Sequence, residues 1–87
     1  MAEITVEVPN KTGLHARPAA LFVKKAQEFS SEILVLREDK TASAKSILAV
    51  MSLNVNQGAK ITIKAEGEDA TQAVAALAQL VQSFQDN

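Results

Sequence analysis

The stretch Ala59-Lys60-Ile61-Thr62-Ile63-Lys64-Ala65-Glu66 alternates apolar and polar side chains without a break. Successive side chains of a strand point to opposite faces of its sheet. This pattern therefore reads as a strand with Ile61, Ile63 and Ala65 turned inward and the other face left to water. Residues 3–8, Glu3-Ile4-Thr5-Val6-Glu7-Val8, carry the same alternation. Strands buried on one side belong to antiparallel sheets, because parallel sheets are covered on both faces. Glu3, Thr5, Glu7, Thr62 and Lys64 are the expected residues of the open face.

Between these strands the period changes. Pro9-Asn10-Lys11-Thr12-Gly13 is a run of turn residues. Over 16–29, Ala19, Phe22, Val23 and Ala26 fall at i, i+3, i+4 and i+7, a helical stripe, with Lys24, Lys25 and Glu28 on the outer side. Pro18 fits the first turn of that helix, where its missing N–H breaks no intrahelical bond. Ser30-Ser31 ends it. Residues 32–37 are rich in leucine and β-branched residues and read as a strand. Glu38-Asp39-Lys40 is a charged turn, and 41–44 is expected to return antiparallel. Ser46 precedes the apolar run 47–51 as an N-cap, with Asn54 and Gly58 bracketing the exit. Gly67 turns the chain again, and Asp69 with Gln72 has the spacing of a capping box. The stripe Ala70, Val74, Leu77, Val81 and Phe84 marks a closing helix. The order βαββαβα predicts an α+β two-layer sandwich, a four-stranded sheet covered on one face by three helices.

Composition bounds the chemistry. With 87 residues the chain is expected to be one domain, residues 1–87. Hydrophobic residues make up 47% and charged residues 22%, which excludes wholesale disorder. Cysteine is absent, so disulfides, thiol nucleophiles and Cys-ligated metals are excluded, and one histidine leaves no multi-histidine metal site. A net charge of −1 argues against broad nucleic-acid binding. No apolar run approaches the ~20 residues of a membrane helix, and Met1-Ala2-Glu3-Ile4 lacks the basic-then-apolar pattern of a secretory signal. The expectation is a cytoplasmic protein that needs no cofactor.

One cluster concentrates chemistry: Gly13-Leu14-His15-Ala16-Arg17-Pro18. His15 is the one side chain whose unperturbed titration lies near neutrality. It stands just before a helix whose first N–H groups have no internal partner and carry the positive end of the helix dipole. Such an end binds phosphate. Ala16 has no side-chain oxygen to occupy those donors, so the amides of Ala16 and Arg17 are expected to stay open to a ligand. Arg17 adds a permanent cation with bidentate geometry for phosphate oxygens. Both positive groups disfavour imidazolium, so the ring is expected in its neutral, nucleophilic form before transfer, and the same groups would stabilise the anionic product after it. On these residues alone, an exposed loop histidine beside a solvated arginine also fits.

Ser46 reads first as a helix cap; a phosphate there would also meet a helix start, with Lys45 beside it. A helix as short as 47–51 has little room to bury all of Ile47, Leu48, Val50 and Met51. Either all of them join the core, or Leu48 and Met51 join Ala20 in a small apolar docking patch. The carboxylates at 38–39 and 66–69 read as solvated turn residues.

The run from Gly13 to Ala19 resembles the active-site motif of HPr, the histidine-containing phosphocarrier family of the phosphoenolpyruvate-dependent sugar phosphotransferase system. Lys45-Ser46-Ile47-Leu48-Ala49-Val50-Met51-Ser52-Leu53 resembles the family's second motif, around its regulatory serine. Residues 58–69 resemble its last strand and turn, so the likeness spans essentially the whole chain. The resemblance implies an open-faced β-sandwich. It implies that enzyme I, charged by phosphoenolpyruvate, phosphorylates His15 on Nδ1, and that the phosphoryl group passes to the IIA domains of sugar permeases. Arg17 would assist at the phosphoryl centre. Ser46 would be the target of an HPr kinase/phosphorylase, and the seryl-phosphorylated form a corepressor for a catabolite-control transcription factor. Ile47, Leu48 and Met51, with Ala20, would form the partner-docking surface. The wording around Ser46 is closer to the kinase-regulated, low-GC Gram-positive type than to the enteric type. A regulatory paralogue of the family lacks the histidine, so His15 speaks for a true carrier. One departure is Asn54, where many members have Gly; Asn tolerates left-handed backbone next best. The expected product is a monomeric carrier and not an enzyme. Two alternatives stand beside it: a carrier of the nitrogen-related phosphotransferase branch, and a purely regulatory corepressor module acting through Ser46.

Overall fold

The computed structural model describes residues 1–11 and 13–84. Its elements are β1 (Ala2–Glu7), α1 (Ala16–Ala26), β2 (Glu32–Arg37), β3 (Lys40–Ser43), α2 (Ile47–Ser52), β4 (Lys60–Glu66) and α3 (Ala70–Ser83). The strands form one antiparallel sheet in the order β1-β4-β2-β3. The stretch that opened the reading is the second strand of this order, flanked by β1 and β2. Ile63 lies opposite both Ile4 and Val35, so the inward side chains of three strands meet across the sheet.

The core is a single cluster of aliphatic side chains around one aromatic, Phe22, with Leu14, Ile33, Leu53, Ile61, Ile63 and Leu77 among its largest members. Helix α3 covers β1 and β4, α1 packs against α2 and α3, and α2 meets β3. All helices lie on one face, giving an open-faced α+β sandwich. On the open face Glu3, Thr5 and Glu7 are exposed as expected, and Thr5 and Thr62 hydrogen-bond through their hydroxyls at 3.0 Å. That face is not wholly polar. Leu34 and Leu36, half-buried, share it with Lys64 and Thr62, their register partners.

Three expectations are corrected. Helix α1 ends at Ala26, not at residue 29. Glu28 and Phe29 donate to carbonyls three residues back, at 3.1 and 3.2 Å, so the chain tightens and turns toward β2 while Phe29 packs partly against the core. The hairpin strand spans Lys40–Ser43, one residue earlier than expected, because Arg37 pairs with Lys40 across a two-residue turn. Asp69 and Gln72 form no capping box: Asp69 is the N-cap residue of α3, but its carboxylate makes no cap bond and binds Ser30 and Ser31 instead. Asn54 adopts the left-handed conformation, φ 53°, that its position had suggested. Of the turn at 9–13, Thr12 lies outside the described residues.

Candidate functional site

The site is built where the β1–α1 loop leans on the loop between α2 and β4. The Leu14 N–H donates to the Val55 carbonyl at 3.0 Å, and Leu14 itself is buried. Gly13 has φ +61°, and a Cβ there would overlap the Val55 carbonyl oxygen and come within 2.9 Å of Asn56 Cα. Only glycine fits this approach. A little further back, Gly58 N–H donates to Val8 O at 2.8 Å and Gln57 Nε2 to Pro9 O at 3.2 Å. The histidine loop is therefore laid down on a second loop rather than left free in solvent.

From this base the chain enters α1 through His15, which is the N-cap residue, in extended backbone (φ −95°, ψ −168°) and exposed. Its carbonyl accepts the first helical bond, from Ala19 N–H at 2.8 Å. Its side chain makes no cap bond. Ser, Thr, Asp or Asn at this place would satisfy one of the first amides with a side-chain oxygen. Here the amides of Ala16 and Arg17 have no partner among the described residues, and Pro18 has no N–H at all. The unfilled end of the helix is thus two exposed donors wide. No acidic residue stands in the first turn to neutralise it. Arg17 is exposed and no hydrogen bond or ion pair engages its guanidinium among the described residues. An anion approaching His15 meets two amides, a free cation and the positive helix end.

Ser46 is the N-cap of α2, and its Oγ accepts Ala49 N–H at 3.3 Å. The residue is half-buried. Lys45, its neighbour in sequence, is engaged elsewhere: its Nζ donates to Phe29 O at 2.7 Å, while Gln27 Nε2 donates to Lys45 O at 3.2 Å. The lysine is spent on tying the end of α1 to the turn before α2.

The apolar residues of α2 divide. Val50 is buried, Met51 is half-buried against the core, Ile47 is 44% exposed and Leu48 82% exposed. Ala20 is exposed on α1, which packs against α2. Leu21 on α1 is a further large apolar residue left 47% exposed, and the sequence reading did not single it out. The signal was there: Leu21 lies off the stripe formed by Ala19, Phe22, Val23 and Ala26, so a large apolar side chain had to face out. Asn10 and Val55, which hold the loop, also gave no sign beyond being a turn residue and an apolar one.

An open-faced α+β sandwich with an exposed histidine at an uncapped helix start fits a class, the small phosphocarriers of the HPr type. A family model described as the PTS HPr component phosphorylation site matches residues 2–83, and the chain belongs to the HPr family of phosphocarriers. It is 48% identical over 82 residues to the HPr-like protein Crh of Bacillus subtilis, the catabolite repression HPr of that organism, covering 94% of this chain and 96% of that protein. It is 43% identical over 79 residues to the phosphocarrier protein HPr of Mycoplasma capricolum, covering 91% and 89%. A crystal structure of HPr from Thermoanaerobacter tengcongensis superposes with a TM-score of 0.93 at 53% identity, covering 95% of this chain and 93% of that one. The same protein has been solved as a dimer, at a TM-score of 0.76 over 95% of each chain. No helix among the described residues is long and apolar enough to cross a membrane.

Proposed function

We propose that the protein is the general carrier of a phosphoenolpyruvate-dependent sugar phosphotransferase system, with His15 as its phosphoryl acceptor. The observation that supports this most directly is the exposed His15 at the start of α1, beside two amides without partners. The Nδ1 lone pair forms the new N–P bond while the bond from phosphorus to the phosphorylated enzyme I breaks and its electron pair stays on the donor. The oxygens of the phosphoryl group then face the N–H groups of Ala16 and Arg17 and the Arg17 guanidinium. Phosphoryl transfer asks mainly for positioning and charge stabilisation, and these groups supply both. Two amides and one exposed arginine hold the group without enclosing it, so a IIA domain of a sugar permease can take it in the reverse sense. The protein is a substrate of its partners and turns over nothing itself.

Docking falls to Ala20, Leu21, Ile47, Leu48 and Met51, a small patch suited to weak, transient encounters. Ser46 is the regulatory phosphorylation site, for a kinase of the HPr kinase/phosphorylase type, and the chain works in the cytoplasm as a monomer. The 48% identity to Crh favours one second reading, a regulatory module that acts through Ser46 on a catabolite-control transcription factor. A single labelling experiment separates the two. With enzyme I and phosphoenolpyruvate, the wild type takes one acid-labile phosphate and His15→Ala takes none, while Ser46→Ala is labelled normally. A wild type that takes no acid-labile phosphate, but supports transcription-factor binding once Ser46 is phosphorylated, reverses the assignment.

A further inference from the structure

Immediately before His15 the chain makes a turn closed twice. Gly13 N–H donates to Asn10 O at 3.1 Å, and Asn10 Nδ2 donates back to Gly13 O at 2.9 Å. The Asn10 side chain is buried, with 4% of the residue exposed, which is unusual for a loop asparagine. The next peptide unit is held at both ends: its C=O, from Gly13, by Asn10 Nδ2, and its N–H, from Leu14, by the Val55 carbonyl at 3.0 Å. This is the peptide most in need of holding. That peptide turns about Gly13 ψ and Leu14 φ, and glycine has no Cβ to resist the turn on its side, so a Gly–Leu peptide tied at one end could rotate. Its rotation would displace the residue that follows Leu14, which is His15.

We propose that Asn10 is a positioning residue for phosphoryl transfer: its buried carboxamide locks the Gly13–Leu14 peptide and so sets the His15 ring against the amides of Ala16 and Arg17. The inference rests on the reading of His15 as the acceptor. Asn10 stands in the loop between β1 and α1, whereas the docking residues stand on α1 and α2. Its loss therefore acts on the transfer step and not on docking. Misplacement of reacting groups by about 1 Å costs on the order of a hundredfold in rate, so partial loss of one of two ties is expected to cost about tenfold.

The test uses the full chain with enzyme I and phosphoenolpyruvate. Asn10→Ala removes the donor, and Asn10→Asp keeps the size and shape while replacing the donor with a carboxylate oxygen. Both variants should transfer about tenfold more slowly at saturating enzyme I, with half-saturation changed by less than about twofold, and the His15 ring resonances should broaden or shift. Variants that transfer at the wild-type rate, or that lose only in half-saturation, overturn the proposal. So does unfolding of the whole chain in both, because Asn10 would then serve the core rather than the loop. A wild type that takes no phosphate on His15 defeats the functional reading; a normally labelled wild type with equally fast variants defeats only the role of Asn10.

Discussion

The Asp69 carboxylate reaches from the start of α3 to Ser31, at the entry to β2, and accepts both its backbone N–H and its hydroxyl. Its other oxygen accepts Ser30 N–H at 2.9 Å. One acidic side chain thus fastens two crossovers, α1 to β2 and β4 to α3. Gly67 completes the contact, since a Cβ there would come within 2.6 Å of Ser31 Oγ.

These bonds favour the ionised form. The Ser31 hydroxyl first, then the Ser30 and Ser31 amides, lower the Asp69 carboxyl from the ordinary 3.8 to about 2. A carboxyl depressed in the folded state contributes stability that is full above the unfolded value and is lost as the pH falls through the folded one. The melting temperature of the wild type should therefore exceed that of Asp69→Asn at neutral pH, with the gap closing between pH 3.8 and about 2. Parallel melting curves across that window would show that Asp69 is not the group responsible.

Gly13→Ala should destabilise the fold by about 2–5 kcal/mol. A left-handed backbone at a non-glycine residue costs roughly 1–2 kcal/mol and overpacking against Val55 roughly 1–3. Urea unfolding at neutral pH measures it, and a midpoint equal to that of the wild type would show that the two loops separate freely.

Leu48→Asp should leave stability within about 0.5 kcal/mol, because the side chain is 82% exposed. It should weaken the complex with enzyme I by about tenfold or more, since a charge placed in an apolar contact loses both the contact and its own hydration. Isothermal titration or an NMR shift titration reads the affinity, and an unchanged dissociation constant would remove α2 from the docking surface.

The alternation at 59–66 and 3–8 and the helical stripes are local periods, which is why the sequence alone determined the element order, the open face and most of the core. It also singled out His15 at a helix start, because Pro18 and the absence of a capping side chain are written within three residues. Tertiary structure decided what depends on partners distant along the chain. Asp69 left its local capping spacing for serines 38 and 39 residues away. Lys45 bound the carbonyl of Phe29, 16 residues back. Val55, 41 residues beyond Leu14, fixed the conformation of the histidine loop. A backbone amide or a carboxylate is satisfied by whichever acceptor or donor the packed core brings near, and periodicity carries no record of which one that will be.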